Sequence, residues 1–484
     1  DTAIKSMLKD LDPYTNFYNE QDVEASRINN TGDYTGIGAN VLTLKDKLVI
    51  IEPYKGFPAD KAGLKAGDEI IKVDNTVVAD FKEDAGNLLQ GTAGTSVSVT
   101  YIRQGKTESV NIQREAVEIH AVPYYAMIND KTGYVVLRKF NEKASSETIN
   151  AVRALKSQGA KQLILDLRGN LGGLLNEAVN VTNIFIPQNQ LVVTTKSKVD
   201  KYNKTYYTQK APIDTEIPLI VLIDGQSASA SEIVAGALQD LDRAVIVGAR
   251  SFGKGLVQRP KSLVYGTQIK ITISRYYTPS GRCIQALDYW NRDEAGKATR
   301  VEKENYNAFK TKRGRTVFDG GGVQPDLEVG ITKLSPITSA IVNENLIFDF
   351  ATKYYYSHKI SDLNTFELKD ADFIAFKTFL KSNNFTFETE TEKAFDEALK
   401  VAKEEALNGV IEKEFTTLIK TLNNYKTDAI DANKAQLMSL LSEEIVKRYF
   451  YREGMYAYFV IHNTEIKKGT EILKNPSTYL NYLQ

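Results

Sequence analysis

The apolar run Pro218-Leu-Ile-Val-Leu-Ile-Asp224 is followed at once by the small-residue stretch Gly225-Gln-Ser-Ala-Ser-Ala-Ser-Glu232. The run has the length and composition of a buried strand, and the stretch after it has the composition of a turn. Helical spacing follows, in Ile233-Val-Ala-Gly-Ala-Leu-Gln239. The sequence therefore predicts a strand, a tight turn and a helix N-terminus, where free backbone N–H groups can hold an anion.

The same order of elements recurs on both sides of this stretch. Upstream, the apolar run Gln162–Leu167 leads into Arg168-Gly-Asn-Leu-Gly-Gly173 and then into a helical pattern. Downstream, Ala244–Gly248 leads into Ser251-Phe-Gly-Lys-Gly-Leu-Val-Gln258. Such alternation predicts a mostly parallel sheet with helices packed on it. Ligands bind outside the carboxyl ends of the strands of such sheets, so we expect these loops to meet there.

The composition and the periodicity of apolar residues change three times along the chain, which predicts four regions. They are an N-terminal helical segment (1–32), a small β-rich domain (33–115), the α/β core (116–334) with a polar surface insertion (286–318), and a Lys-, Glu-, Asn- and Tyr-rich helical domain (335–484).

Composition excludes several function classes. The 484 residues contain 61 Lys+Arg and 61 Asp+Glu, and this neutrality gives no indication of nucleic acid as a partner. No apolar run approaches the ~20 residues of a membrane helix. We therefore expect membrane association, if there is any, only through a segment that precedes Asp1. A single cysteine, Cys283, rules out an internal disulfide and leaves the redox compartment open.

The turn at 225–232 is a good place for a nucleophile, and Ser229 is our candidate. A Ser-His-carboxylate triad is disfavoured, because the only histidines are His120, His358 and His462, near a domain boundary and in the helical region. Ser229 then needs another base. Lys254 lies among glycines after an apolar run, and desolvation would lower its pKa enough for it to serve.

The remaining parts of such a site can also be assigned. Gln258 follows Lys254 by four residues and could orient the amine through its side-chain carbonyl. An oxyanion needs two donors. The backbone N–H of Ala230, at the helix start, is one candidate, and the Gly172/Gly173 loop is the other.

Two simpler interpretations compete with a catalytic one. Serine is favoured at a helix N-cap for reasons of capping alone, so Ser227 to Ser231 are explained without chemistry. Gly248 to Lys254 also matches G-x-x-x-x-G-K, but Gly255 follows where a phosphate loop needs Ser or Thr. On residue chemistry alone the capping interpretation is the simpler one, and it stays open.

The β-rich region resembles a PDZ domain. The resemblance is carried by Phe57-Pro-Ala-Asp-Lys-Ala-Gly-Leu-Lys-Ala-Gly-Asp-Glu-Ile70, which follows the glycine-rich turn Gly36-Ile37-Gly38-Ala39. It implies that the N–H groups of Gly36, Ile37, Gly38 and Ala39 capture the terminal carboxylate of a peptide, with the peptide added as a strand.

Five motifs together resemble the carboxyl-terminal processing peptidases, or tail-specific proteases. They lie in the order that this family shows: Asp166–Gly173, Ser227–Asp240, Phe252–Gln258, Tyr276–Arg282 and Gly321–Asp326. The resemblance covers roughly residues 1–330 and implies an α/β fold, a ClpP/crotonase-like catalytic core with an inserted PDZ domain. It also implies a Ser–Lys–Gln site, carried here by Ser229, Lys254 and Gln258. Of the three serines in the turn, the resemblance selects Ser229, which matches the nucleophile of the family 25 positions before the lysine. Asp240 matches a carboxylate implicated in some members, and we interpret it as structural.

The resemblance implies a serine endopeptidase that recognises protein C-termini and uses no metal or other cofactor. As a hypothesis, tail binding to the PDZ loop gates the catalytic site. The family usually works in the periplasm or bacterial cell envelope, which is the expected location. The alternative is a non-catalytic tail-binding adaptor that keeps the fold. The C-terminal helices carry no recognisable chemistry, and a homodimer formed through them is an option that the sequence leaves open.

Overall fold

The computed structural model describes residues 2–8, 11–44, 46–81, 84–292, 298–330 and 334–484. They form two compact units. Unit 1 consists of Asp1–Tyr34, Ala116–Thr332 and Phe459–Gln484, and unit 2 of Thr35–Glu115 and Lys333–Tyr458.

The elements from the N-terminus to the end of the PDZ-like region are mostly short strands. In chain order they are α1 (Thr2–Leu8), β1 (Asn16–Tyr18), α2 (Glu20–Thr31), β2 (Asp33–Gly36), β3 (Ala39–Leu44), β4 (Lys47–Pro53), α3 (Pro58–Lys61), β5 (Glu69–Val73), β6 (Thr76–Val77), β7 (Ser96–Arg103), β8 (Lys106–Gln113) and β9 (Glu115–Glu118).

The α/β core and the segment after it contain the next elements. They are β10 (Tyr124–Met127), β11 (Thr132–Val136), α4 (Ala144–Ser157), β12 (Gln162–Asp166), α5 (Leu175–Asn183), β13 (Leu191–Lys196), β14 (Lys204–Tyr207), β15 (Leu219–Ile223), α6 (Ala230–Asp240), β16 (Val245–Gly248), β17 (Leu256–Ser262), β18 (Gln268–Tyr277), β19 (Leu287–Arg292), β20 (Ala298–Arg300), β21 (Ala308–Lys310), β22 (Thr316–Phe318) and β23 (Leu327–Glu328).

The rest of the chain is helical. The helices are α7 (Pro336–Asn343), α8 (Leu346–Ser357), α9 (Asp370–Ser382), α10 (Glu390–Glu404), α11 (Asn408–Ala432), α12 (Lys434–His462), α13 (Thr464–Lys474) and α14 (Pro476–Asn481). Within the described residues, no helix has the length and apolar character needed to span a membrane.

Unit 1 is built on a six-stranded sheet of order β10-β11-β12-β15-β16-β23, in which β11 to β23 run parallel. Alternate residues of β15 face opposite sides, as the pleat requires. Leu219, Val221 and Ile223 join the buried cluster that contains α4, α5 and α6. Ile220 faces Gly469 of α13. The predicted parallel α/β core is therefore present, with both faces of its sheet covered.

A second sheet in unit 1 has the order β1-β18-β13-β14, with β17 also paired to β18. The N-terminal segment was expected to be helical, and its short β1 was not predicted. A three-residue strand carries too little periodicity to be recognised, and β1 exists through its register with β18, in which Phe17 pairs with Ile269.

Unit 2 combines the PDZ-like sheet, of order β3-β4-β5-β7-β8, with the C-terminal helices up to Tyr458. The expected single helical domain (335–484) is divided, since residues 459–484 lie in unit 1. Two contacts explain this. Gly469 packs on the core strands, and the Tyr479 hydroxyl accepts a hydrogen bond from the Leu219 N–H over 3.0 Å.

Candidate active site

Ser229 lies on the turn between β15 and α6, in a strained backbone conformation. Its φ is 54° and its ψ is −110°, outside the regions that a serine ordinarily adopts. The turn is closed by Asp224, whose carboxylate accepts the N–H groups of Gly169, Gln226 and Ser227. Strain of this kind persists only where surrounding contacts enforce it, and it is concentrated at functional sites.

The three serines of the turn have different surroundings. The Ser227 hydroxyl donates to the Leu167 carbonyl over 2.9 Å, and the Ser231 hydroxyl donates to the Asn170 carbonyl over 2.8 Å. Both residues are fully buried, whereas Ser229 is half-buried. Ser227 and Ser231 are therefore engaged in holding two loops together, and Ser229 is the member of the three with access to solvent.

A buried glutamate, Glu232, joins the serine turn to the lysine loop. One carboxylate oxygen accepts from the N–H groups of Ser229 (2.8 Å) and Lys254 (2.9 Å). The other accepts from the Ser251 hydroxyl (2.5 Å) and the Gly253 N–H (2.7 Å). Burial raises the pKa of this carboxyl, while the hydrogen bonds favour its ionised form. One side chain thus fixes the spacing of both candidate catalytic residues.

Lys254 is half-buried, and its environment makes the ammonium easier to deprotonate than that of a lysine in water. Burial away from water lowers the pKa of the Lys254 ammonium to about 8, and the positive charge of Lys270 acts in the same direction. The negative charges of Glu232 and Asp12 oppose this shift. The Lys254 Nζ lies 4.4 Å from the centre of the Tyr14 ring. Among the described residues, no hydrogen bond joins Lys254 Nζ to Ser229 Oγ.

Gln258 lies on β17, at a bulge in its pairing with β18. Its side-chain NH₂ donates to the Thr272 hydroxyl over 3.3 Å, and that hydroxyl donates to Asp12 over 3.0 Å. The N-terminal segment therefore reaches the site at two points, through Asp12 and through Tyr14. Sequence reasoning missed both residues, because nothing in their spacing relates them to a lysine some 240 residues later in the chain.

The glycine loop after β12 lies directly against the serine turn. A Cβ on Gly172 would fall 2.7 Å from the Ala228 carbonyl oxygen and 3.0 Å from the Ala230 nitrogen, so only glycine fits. The Gly172 N–H donates to the Asn170 side chain over 2.9 Å. A Cβ on Gly173 would lie 2.3 Å from the Phe140 carbonyl oxygen, and the φ of Gly173 is 152°. The structure thus places Gly172 against Ala230 with its own N–H already engaged, and Gly173 is the next residue of the same loop.

Two further buried groups support the site. The Tyr276 hydroxyl shares its one proton between the carbonyl oxygens of Lys254 (2.5 Å) and Ser229 (3.1 Å), with the shorter contact to Lys254. Asp240, at the end of α6, forms a fully buried ion pair with Arg282 (2.8 Å) and accepts the Ser280 N–H. These contacts give Asp240 a structural role, since they anchor the loop after β18 to α6.

One group within the described residues could offer ligands to a metal ion, and it involves none of the candidate catalytic residues. Glu118, His120 and Glu147 place one ligand atom each within 4.8 Å of one another. However, the Lys143 ammonium lies 2.6 Å from Glu118, so that carboxylate already has a cation.

The second predicted site, Gly36–Ala39, lies in unit 2 between β2 and β3. The carbonyls of Ile37 and Gly38 accept hydrogen bonds from the N–H groups of Ala59 (2.7 Å) and Tyr54 (2.9 Å). These two carbonyl groups therefore point towards the rest of the PDZ-like domain. Gly38 has a φ of 72°, and a Cβ there would lie 2.4 Å from that of Phe57. The backbone therefore defines the shape of this loop.

Comparisons with known proteins cover most of the chain. Residues 131–289 match the model of peptidase family S41, residues 35–113 match a PDZ domain, and residues 337–473 match the C-terminal helical domain of a probable PDZ-protease. A carboxy-terminal-processing protease of Bartonella bacilliformis is 36% identical over 294 residues, which is 59% of this chain and 67% of the relative.

The chain belongs to peptidase family S41. A probable CtpA-like serine protease of Staphylococcus epidermidis is 29% identical over 85% of this chain and 80% of its own length. Among solved structures, the photosystem II D1 C-terminal processing protease is 30% identical over 68% of this chain and 81% of its own, with a TM-score of 0.40. The three matching family models together give an S41 peptidase fold with a PDZ domain and a C-terminal helical domain.

Membership decides between the two functions that the sequence left open. This S41 chain is a serine protease of the carboxy-terminal processing type, not a non-catalytic adaptor. Among residues of the site, sequence reasoning missed Glu232. A glutamate three positions after Ser229 is typical of a helix capping box, which explains the residue without any distant contact. Its hydrogen bonds to Ser251 and Lys254 could therefore not be recognised in the sequence.

Proposed function

We propose that Ser229 is the nucleophile of this peptidase and that Lys254 is its general base. Ser229 Oγ attacks the peptide carbonyl, and the neutral Lys254 amine accepts the hydroxyl proton. The resulting ammonium then protonates the departing amine. In the second step the neutral Lys254 amine accepts a proton from water, which attacks the acyl-enzyme, and the ammonium returns this proton to Ser229 Oγ as the ester bond breaks. The observation that carries this proposal is the Glu232 carboxylate, which binds the backbone N–H groups of both residues.

The oxyanion is assigned to the N–H groups of Ala230 and Gly173. Ala230 is the first residue of α6, so its N–H has no partner within the helix and points out of the helix start. Gly172 supplies close approach instead of a donor, since its own N–H donates to Asn170. Two donors that are fixed before the substrate arrives can stabilise the transition state without any reorganisation.

Gln258 orients Lys254 in this proposal. The amide nitrogen of Gln258 donates to Thr272, and this contact directs the amide carbonyl oxygen away from Thr272. That oxygen is then the end that accepts a hydrogen bond from the Lys254 amine. The Tyr14 ring, 4.4 Å from Nζ, limits where the amine can move.

The substrates are protein C-terminal tails that bind at the PDZ domain. The N–H groups of Gly36 to Ala39 take the terminal carboxylate, because Ile37 and Gly38 turn their carbonyls inward. Tail binding gates the reaction and brings Lys254 Nζ to Ser229 Oγ. The expected location is the periplasm or bacterial cell envelope, which fractionation of cells that express the protein would test.

The nucleophile is tested by cleavage of an unfolded protein with the full chain, Ser229→Ala and Ser231→Ala. Ser229→Ala is expected to lose at least about 10³-fold in kcat/KM, as removal of an activated nucleophile does. Ser231→Ala removes a buried structural hydroxyl, is expected to cost about 1 kcal/mol of stability and should lose far less activity than Ser229→Ala. Equal cleavage by all three proteins would overturn the assignment.

Gating needs a separate comparison. One peptide substrate is supplied with a free C-terminal carboxylate or as its amide, at saturating concentrations of both. We expect a higher kcat for the free acid, because only a bound carboxylate aligns the site. Equal kcat values, with Ser229→Ala inactive, would reject gating and leave the catalytic assignment intact.

A further inference from the structure

The C-terminal helices cover the outer face of the PDZ sheet within unit 2. The Tyr451 hydroxyl donates to Asp60 over 2.7 Å, and the Arg452 guanidinium pairs with Glu52. Thr352 fills the space beside Gly67, where a Cβ would lie 2.5 Å from its Cγ2. These contacts hold the C-terminal helices against the outer face of the PDZ sheet.

Strand β3 is at the edge of this sheet and begins at the loop that we assign to the tail carboxylate. Its side chains alternate between the two faces. Ala39 and Val41 pack against the PDZ core, whereas Leu42 is on the other face and remains 38% exposed. A peptide added as a strand beside β3 must alternate in the same way.

A cavity of about 340 Å³ opens between β3 and the helices. Its wall is mainly apolar, with Leu42 and Ile51 from the sheet and Val342, Ile347, Phe348 and Leu440 from the helices. Two carboxylates also line it. Glu444 ion-pairs with both Lys447 and Arg448, and Glu443 lies 3.9 Å from Lys447, so two cations balance the two carboxylates.

We propose that this cavity binds every second side chain of the tail, and that the C-terminal helices thereby take part in substrate selection. The inference rests on the proposed tail recognition. One set of alternate side chains faces the PDZ core, and the other set faces Val342, Phe348 and Leu440. The favoured substrate is a tail with apolar side chains in both sets, which an unfolded segment from a protein core would have. A tail that is apolar on one face only uses half of the groove.

The test uses the full chain carrying Ser229→Ala, so that peptides are bound and not cleaved. Short peptides with a free C-terminus each carry a single leucine or serine at one of their last positions, and affinity is measured by fluorescence anisotropy. Leu440→Ala and Val342→Ala are expected to weaken the leucine peptides about fivefold at alternate positions only. Ile374→Ala, at an exposed position of α9, is the control and should change nothing.

Amidated peptides separate the two levels of the proposal. If amidation abolishes binding but the helix variants affect all positions equally or none, the inference about the cavity is overturned and tail recognition stands. If amidated and free peptides bind equally, tail recognition itself is overturned. Circular dichroism of each variant verifies that the helices are intact.

Discussion

The serine turn and the PDZ loop are held in shape by different means. At Ser229 one buried side chain holds the site in shape, because the Glu232 carboxylate accepts hydrogen bonds from N–H groups of both the serine turn and the lysine loop. At Gly36–Ala39 the backbone does it, through the carbonyls of Ile37 and Gly38 and a glycine that no other residue can replace. Loss of a charge should therefore damage the first region, and an added methyl group should damage the second.

Among changes that leave both Ser229 and Lys254 in place, the largest effect is expected from Glu232→Gln. The amide has nearly the same size but replaces one acceptor oxygen by a donor, so two of the four groups that Glu232 binds lose their partner. We expect kcat/KM to fall about 100-fold, as when reacting groups are displaced by about 1 Å. Unfolding by urea should show a loss of about 1–3 kcal/mol. Glu216→Gln, at an exposed position before β15, is the matched control. Activity within twofold of the parent would show that Glu232 does not set this geometry.

The next effect is the pH dependence that Lys254 imposes. Only the neutral amine can accept a proton, and burial lowers the pKa of Lys254 to about 8. We expect kcat/KM to fall about tenfold for each unit of pH below that value and to level off above it. A profile that is flat between pH 6 and 9 would remove Lys254 from the role of base.

The lowered pKa of Lys254 also predicts how the stability of the folded protein changes with pH. The folded state lowers the Lys254 pKa from 10.5 to about 8, so the unfolded chain binds more protons between these values. The free energy of unfolding should therefore rise with pH across this window. Lys254→Met removes the buried charge, so below pH 8 the inactive variant should be more stable than the parent. A lower Tm for Lys254→Met at pH 7 would contradict this.

In the PDZ loop the decisive change is Gly38→Ala. The new methyl group meets a positive φ and the Cβ of Phe57, and either the loop or Phe57 must move. Gly56 also has a positive φ, of 75°, but has open space around it, so Gly56→Ala is a control with the same strain and no clash. Strain alone costs about 1–3 kcal/mol. We expect Gly38→Ala to weaken tail binding about tenfold more than Gly56→Ala does, as measured with the peptides described above.

The sequence was informative wherever a signal is local. The run 218–224 and the helical pattern after it predicted β15 and α6. Because the carboxyl ends of parallel strands lie at one edge of the sheet, the sequence also predicted that the loop at 168–173 lies near the serine turn, and Ser231 contacts that loop. The apolar, glycine-flanked segment around Lys254 also predicted that desolvation would lower the pKa of this lysine. In each case the property depends on residues that are neighbours in the chain or at the ends of adjacent strands.

Contacts between distant segments were not predictable in this way. The division of the C-terminal helices depends on Gly469 fitting against Ile164 and Ile220, and no periodicity shows which sheet a helix will cover. The position of Tyr14 over Lys254 depends on the pairing of β1 with β18. Three residues with strand geometry carry no recognisable pattern until the partner strand is known.

The smallest effect that we predict comes from this N-terminal contact and sharpens the contrast between the two regions. Asp12 accepts hydrogen bonds from Tyr14, Thr15 and Thr272, all of them neutral donors, and its charge raises the pKa of Lys254. Asp12→Asn keeps an acceptor oxygen and removes the charge. The Lys254 pKa should fall further, and the midpoint of the pH–rate profile should move down by a few tenths of a unit, with about a twofold higher rate below pH 8. Because Asp12 acts on the lysine through its charge, Asp12→Ala should shift the midpoint equally but also loosen β1. A midpoint that stays fixed or rises in Asp12→Asn would mean that the N-terminal segment acts on Lys254 by packing alone.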